Sequence, residues 1–181
     1  MTLVLVDAPG SLLLLVDFQK RLMPAIADGP AVVANAVRLA EAAGMLDVPV
    51  AATEQNPDGL GPTVDELAAY PQMVLMKTAF GATSEPGFET VLPPSGAERI
   101  VVAGCEAHVC VLQTVIGLRE RGHRVVLVAD AVGSRTPANH RAALVRAREH
   151  GAEVVTTEMV LFEWLANSHH PRFRDVQKLI K

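Results

Sequence analysis

Two cysteines among 181 residues are too few for a disulfide framework. The start of the chain carries Asp7 and has no basic stretch of the kind that precedes a secretory apolar segment. Both features predict free thiols in a reducing cytoplasm. Long apolar runs are missing too, and none approaches the ~20 residues a membrane helix needs. Basic excess is absent: 16 Lys and Arg stand against 20 Asp and Glu, for a net charge of −4. Without a basic patch, neither nucleic acid nor an anionic membrane is an expected partner. Internal repeats, low-complexity tracts and linkers are also lacking. The length therefore predicts one domain over 1–181 with a sizeable core.

What is present is a regular alternation. Short apolar runs fall at Leu12–Val16, Pro49–Ala52, Met73–Met76, Ile100–Ala103, Val125–Val128 and Glu153–Val155. Continuous apolar runs fit strands buried on both faces. Between them, helical spacing covers Val32–Ala43, Thr63–Ala69, Cys110–Arg121 and Asn139–His150, and three of these stretches are followed by Gly44, Gly122 or Gly151. Pro57–Pro62 and Pro93–Gly96 read as loops. Pro171–Lys181 reads as an amphipathic helix with Phe173, Val176, Leu179 and Ile180 on one face. Strand–helix alternation predicts an α/β fold with a mostly parallel sheet.

Ligands of such sheets bind beyond the carboxyl ends of the strands, so the residues that follow each run matter most. Asp17-Phe18-Gln19 follows the first, Thr53-Glu54-Gln55 the second, and Lys77-Thr78 the third. Cys105-Glu106-Ala107-His108 and then Cys110 follow the fourth. Cys110 thus stands where a strand hands over to a helix. Unpaired N–H groups at a helix start favour a thiolate and an oxyanion. Asp17 is placed to take the thiol proton and return it to a leaving amine. Lys77 supplies positive charge for both. Plainer readings stand beside these: Asp17 as a helix cap, Lys77 as a solvated strand-end residue, His108 as a surface or pocket-lining residue, Cys105 as a small buried one. Cys105-x-x-His108-x-Cys110 also has zinc-ligand residue types, but no second cysteine pair exists to complete a structural site.

These residues resemble those of the isochorismatase-like cysteine hydrolases, in particular a subgroup without a well-assigned substrate. The similarity spans nearly the whole chain: Leu-Val-Asp17-Phe-Gln, Lys77, the string GCEAHVCVLQT at 104–114, TEQNPDGLGPTVDEL at 53–67 and HPRFRDVQKLI near the end. The resemblance implies a three-layer fold, a six-stranded parallel sheet flanked by helices. It implies a catalytic triad of Asp17, Lys77 and Cys110, and a cis peptide joining Cys105 to Glu106. The N–H groups of Glu106 and Cys110 would hold the oxyanion. Phe18, Gln55, Phe80 and His108 would line the substrate pocket. A thioester intermediate, a small amide or carbamoyl substrate and a homo-oligomer would follow. The Asp-x-His-x-His metal site of the family's nicotinamidases is replaced by Thr53-Glu54-Gln55-Asn56-Pro57. No metal or other cofactor is therefore expected, and nicotinamide becomes a poor substrate candidate. Isochorismatases proper lack the cysteine, so Cys110 favours C–N hydrolysis over vinyl-ether cleavage. Two other readings compete: a catalytically silent member kept for ligand binding or assembly, and a thiol-redox protein pairing Cys105 with Cys110. The apolar segment Met159–Leu165 reads as an interface, a lid or core.

Overall fold

The structure is a computed structural model that describes residues 5–93 and 97–181. Most of the connector expected at 93–96 lies outside the described residues. Six parallel strands form one sheet: β1 (Ser11–Val16), β2 (Val50–Gln55), β3 (Met73–Lys77), β4 (Arg99–Cys105), β5 (Arg124–Gly133) and β6 (Glu153–Val155). Their order across the sheet is β3-β2-β1-β4-β5-β6. The chain first builds outward from β1 to β3, then returns to the other side of β1 with β4. The strand order reverses between β1 and β4, where an open α/β sheet has its natural crevice.

Why the inner strands are uniformly apolar follows from the layers. Leu13, Leu15, Val101, Ala103, Val126 and Val128 face one core, shared with α1 (Gly29–Met45), α5 (Thr157–Leu165) and α6 (Phe173–Lys178). Leu12, Leu14, Ile100, Val102, Val125 and Leu127 face another, shared with α3 (Leu112–Glu120) and α4 (Pro137–Glu149). Alternate residues of each strand thus enter different cores, and both sets must be apolar. Within α5, Val160, Leu161, Trp164 and Leu165 are core, whereas Met159 and Phe162 are exposed. No described helix is long and apolar enough to cross a membrane.

Three expectations need correction. Helix α1 runs through Gly44 to Met45, and its end is set by Asp47 in the left-handed region (φ 57°), with Val48 N–H returning to Ala43 O. Thr63–Ala69 forms turns, not a helix. There Glu54 binds the Thr63 N–H and hydroxyl, and Val64 N–H donates to Phe18 O. These long-range bonds fix the start of the segment in a non-helical path. Pro57–Leu60, read as loop, forms a single helical turn, α2, ended by Gly61. Strand β3 differs in another respect. It lies at the sheet edge, and Met73, Val74 and Met76 are exposed rather than sandwiched.

One close approach shapes the crevice. Gly104 has φ +145° and pairs with Val16, and a Cβ at this position would lie 2.2 Å from the Val16 carbonyl oxygen. Only glycine lets β4 pass that near to β1 just before the Cys110 turn. Gly104→Ala is expected to lower stability by about 3 kcal/mol or more, or to prevent folding. Thermal unfolding checks this, and an unchanged melting temperature would contradict the close-approach account.

Candidate active site

At the end of β1 the chain turns sharply, with Asp17 in the left-handed region (φ 52°). Asp tolerates that conformation better than most residues. Its N–H donates to Thr53 O at 3.1 Å, which ties the turn to β2. The carboxylate faces inward and both oxygens are engaged. Thr53 Oγ1 donates to Oδ1 at 2.6 Å, and Lys77 Nζ donates to Oδ2 at 2.8 Å. Both charged side chains are fully buried.

Lys77 reaches this point from β3, two strands away. Besides Asp17 it donates to Gln55 Oε1 at 2.7 Å and to Phe80 O at 3.0 Å, with Ala79 O at 3.3 Å. An ammonium has three donors and no acceptor, so this set saturates it. Gln55 is oriented by the same contacts. Its oxygen must face Lys77, while its Nε2 donates to Thr78 O at 2.8 Å. Gln19 locks Gln55 from behind. Gln19 Oε1 accepts the Gln55 N–H, and its Nε2 donates to Gln55 O and Gly61 O.

Cys110 approaches from the other side of the crevice. It lies in a π-helical turn, Ala107–Val111, that enters α3. Glu106 O caps that turn by accepting from the N–H groups of Val109 and Val111. The peptide bond between Cys105 and Glu106 is cis. Cys110 Sγ lies 4.0 Å from Gln55 Oε1 and is almost wholly buried. Burial pushes its thiol up to about 12; the Asp17 charge pushes the same way and Lys77 opposes it. The helix-start environment was expected to lower this thiol, but desolvation outweighs it. The resting group is therefore a neutral thiol facing an acceptor.

The structure thus brings Asp17, Lys77, Gln55 and Cys110 together. Other candidates have different surroundings. Phe18 is packed in the core on the α1 side of the sheet. Phe80 contributes its carbonyl to Lys77, while its side chain is exposed. His108 is half-buried, with Nδ1 3.0 Å from Ser134 Oγ. The Glu106 carboxylate is held by the N–H and Nε of Arg135, and together with His108 it fastens the β5–α4 loop to the Cys110 turn. Cys105 and Cys110 belong to cores on opposite faces of the sheet and both are free thiols, which contradicts the redox pairing. Among the described residues, no three His, Cys, Asp or Glu side chains cluster as metal ligands. Thr53 and Gln19 complete the polar network. In sequence their signal was only a polar residue at the end of a buried strand and another two places after Asp17.

A large cavity of about 810 Å³ runs along α1 past Met23, Ile26, Val33 and Val37, and touches none of the four clustered residues. Its size does not outweigh the chemistry: buried charges are costly and persist where they are paired. Replacing Lys77 by Met strands the Asp17 carboxylate, with an expected loss of about 3–5 kcal/mol in unfolding free energy. Alkylation of Cys110 by iodoacetamide should climb up to about pH 10 without levelling, since only the thiolate reacts. A plateau near the unperturbed value of about 8.5 would contradict the burial account.

The isochorismatase domain matches residues 11–159. Isochorismatase domain-containing protein 2 of Danio rerio is 40% identical over 171 residues, covering 94% of this chain and 87% of that protein. Among solved structures, the MAR1 ribonuclease of Caenorhabditis elegans superposes with a TM-score of 0.91 at 35% identity, covering 98% and 92% of the two chains. The YcaC gene product of Escherichia coli, described as an octameric hydrolase of unknown specificity, superposes at 0.86 with 22% identity, covering 99% and 96%. The six-stranded parallel sheet is the fold these proteins share. The chain belongs to the isochorismatase family.

Proposed function

We propose that the chain is a metal-independent cysteine hydrolase that cleaves the C–N bond of a small amide or carbamoyl compound. The observation that carries the reading is the buried Asp17–Lys77 pair beside the Cys110 thiol. Asp17 takes the thiol proton as Cys110 Sγ attacks the substrate carbonyl. The N–H groups of Glu106 and Cys110 receive the developing oxyanion. The C–N bond breaks, the proton held by Asp17 passes to the departing nitrogen, and a thioester remains. Water then attacks the thioester, gives a proton to Asp17, and releases the acid. The restored thiol regains its proton from Asp17. Lys77 holds the carboxylate in place and balances its charge throughout. A thiol that is neutral at rest suits this cycle, because proton transfer is coupled to attack and no buried thiolate waits unpaired.

The reading takes no cofactor and asks for a reducing compartment, the cytoplasm, where both thiols stay free. Gln55, with Phe80 and His108 at the margin, is the proposed substrate contact, and Phe18 backs the site from the core. Self-association belongs to the reading as well, because the E. coli YcaC gene product is described as octameric. The C. elegans relative's name raises a phosphodiester alternative. In this site the one lysine is already saturated by Asp17, Gln55 and Phe80 O, and the chain is net acidic. That favours a neutral amide over a polyanion.

The test is a panel of primary amides and carbamoyl compounds, with a single-stranded RNA alongside. Cys110→Ala should lower turnover of any active amide by at least about a thousandfold while the circular dichroism spectrum stays unchanged. Amide turnover retained in that variant, or hydrolysis of RNA alone, would overturn the reading.

A further inference from the structure

The turn that completes the Lys77 site needs a support of its own. Residues 78–80 supply three carbonyls: Ala79 O and Phe80 O accept from Lys77 Nζ, and Thr78 O accepts from Gln55 Nε2. Strand β3, which delivers this turn, lies at the sheet edge and pairs with β2. On one side of the turn the half-exposed Glu85 accepts the N–H groups of Thr78 and Ala79. The buried side is held by α3, the helix that continues from the Cys110 turn. Ala82 N–H donates to Thr114 Oγ1 at 2.9 Å, and both residues are wholly buried. Farther along α3, Gly117 leaves room for Thr83: a Cβ at 117 would stand 2.0 Å from Thr83 Oγ1. Arg121 at the helix end donates to Thr83 O. Positions 114, 117 and 121 recur at spacings of three and four, so they form one stripe along the helix. Residues 82 and 83 lie on that stripe.

We propose that Thr114 is a positioning residue of this hydrolase, tying the turn that binds Lys77 and Gln55 to the helix that carries Cys110. The inference rests on the hydrolase reading, in which Lys77 holds Asp17 ready for the Cys110 proton. Thr114 stands four residues after Cys110, one helical turn farther along the same rigid element. Ala82 stands two residues after Phe80 and three after Ala79, so little slack separates the tie from the carbonyls that Lys77 uses. Cys110 and the Lys77 turn therefore share one mount. Reacting groups must be held closely, and a misplacement of about 1 Å costs on the order of a hundredfold in rate. The hydroxyl is the working group at position 114. Ala82 N–H is buried, and a buried donor without a partner is costly. Valine has the shape of threonine without the acceptor, so it forces the turn to shift toward another partner. Serine keeps the acceptor and loses a methyl group.

The experiment compares kcat, KM and Cys110 alkylation in the wild type and in variants, with circular dichroism as the check on folding. Thr114→Val is expected to lower kcat on the active amide by at least about tenfold with KM within about twofold. Thr114→Ser should stay within about threefold of the wild type. Val115→Ala takes core volume out of the same helix and removes no hydrogen bond to the turn. Its melting temperature should fall while kcat stays within about threefold. Alkylation at one fixed pH needs no substrate, and should change by at least about threefold in Thr114→Val and not in Val115→Ala. Gly81→Ala reaches the tie from the turn. Its φ of −73° and ψ of 118° suit alanine, and the added Cβ would stand 3.3 Å from Gln113 Cβ, pressing the turn off α3. This variant should fold and lose at least about threefold in kcat. Wild-type kcat and alkylation in Thr114→Val overturn the proposal. So does a Thr114→Ser no better than Thr114→Val, or an equal loss of kcat in Val115→Ala. Where Thr114→Val does not fold, unchanged kcat and alkylation in Gly81→Ala overturn it. Amide turnover surviving in Cys110→Ala overturns the hydrolase reading, and the alkylation comparison still decides the tie.

Discussion

An ammonium and a carboxylate lie 2.8 Å apart where neither side chain meets water. Each comes from a different strand end, and β2 runs between those strands. A buried charge without its partner is strongly destabilising, so the pair constrains everything around it. Thr53 at the end of β2 supplies the remaining bond to the carboxylate, and the same strand supplies Gln55 for the ammonium. The turn after β3 must curl back so that its carbonyls can meet the other Lys77 donors. Gln19, Glu54 and Glu85 then hold the loops that hold those groups. The polar network is thus ordered outward from one ion pair.

The same pair also acts on the Cys110 thiol. Three influences act on Cys110: burial, the negative Asp17 and the positive Lys77. The helix start and the lysine both favour a thiolate, yet burial dominates and leaves a neutral thiol. Under the mechanism proposed above, such a thiol gives up its proton only as the attacking bond forms. The close approach of β4 to β1 at Gly104 serves this arrangement by bringing the Cys110 turn over the end of β1.

The inner strands were legible because residues facing both cores must be apolar, and that leaves a continuous run. The positions of Asp17, Lys77 and Cys110 were legible for a related reason: polar residues that end such runs fall at the carboxyl edge. What the sequence hid was set by contacts distant along the chain. Thr63–Ala69 has helical spacing, but Glu54 and Phe18 O capture its first residues. Gly44 looked like a helix end, whereas the turn that ends α1 is made by Asp47. The thiol was read from its helix start alone, and its burial came from packing. Thr53 and Gln19 carry no motif of their own; their roles arise only when β1 and β2 lie side by side.

The most direct test of the central claim is the intact mass of the protein, quenched in acid while it turns over an amide. The account predicts a transient adduct of the acyl mass that maps to Cys110, is removed by hydroxylamine and is absent from Cys110→Ala. Turnover with no adduct under conditions where breakdown is rate-limiting, or an adduct on any other residue, would contradict it.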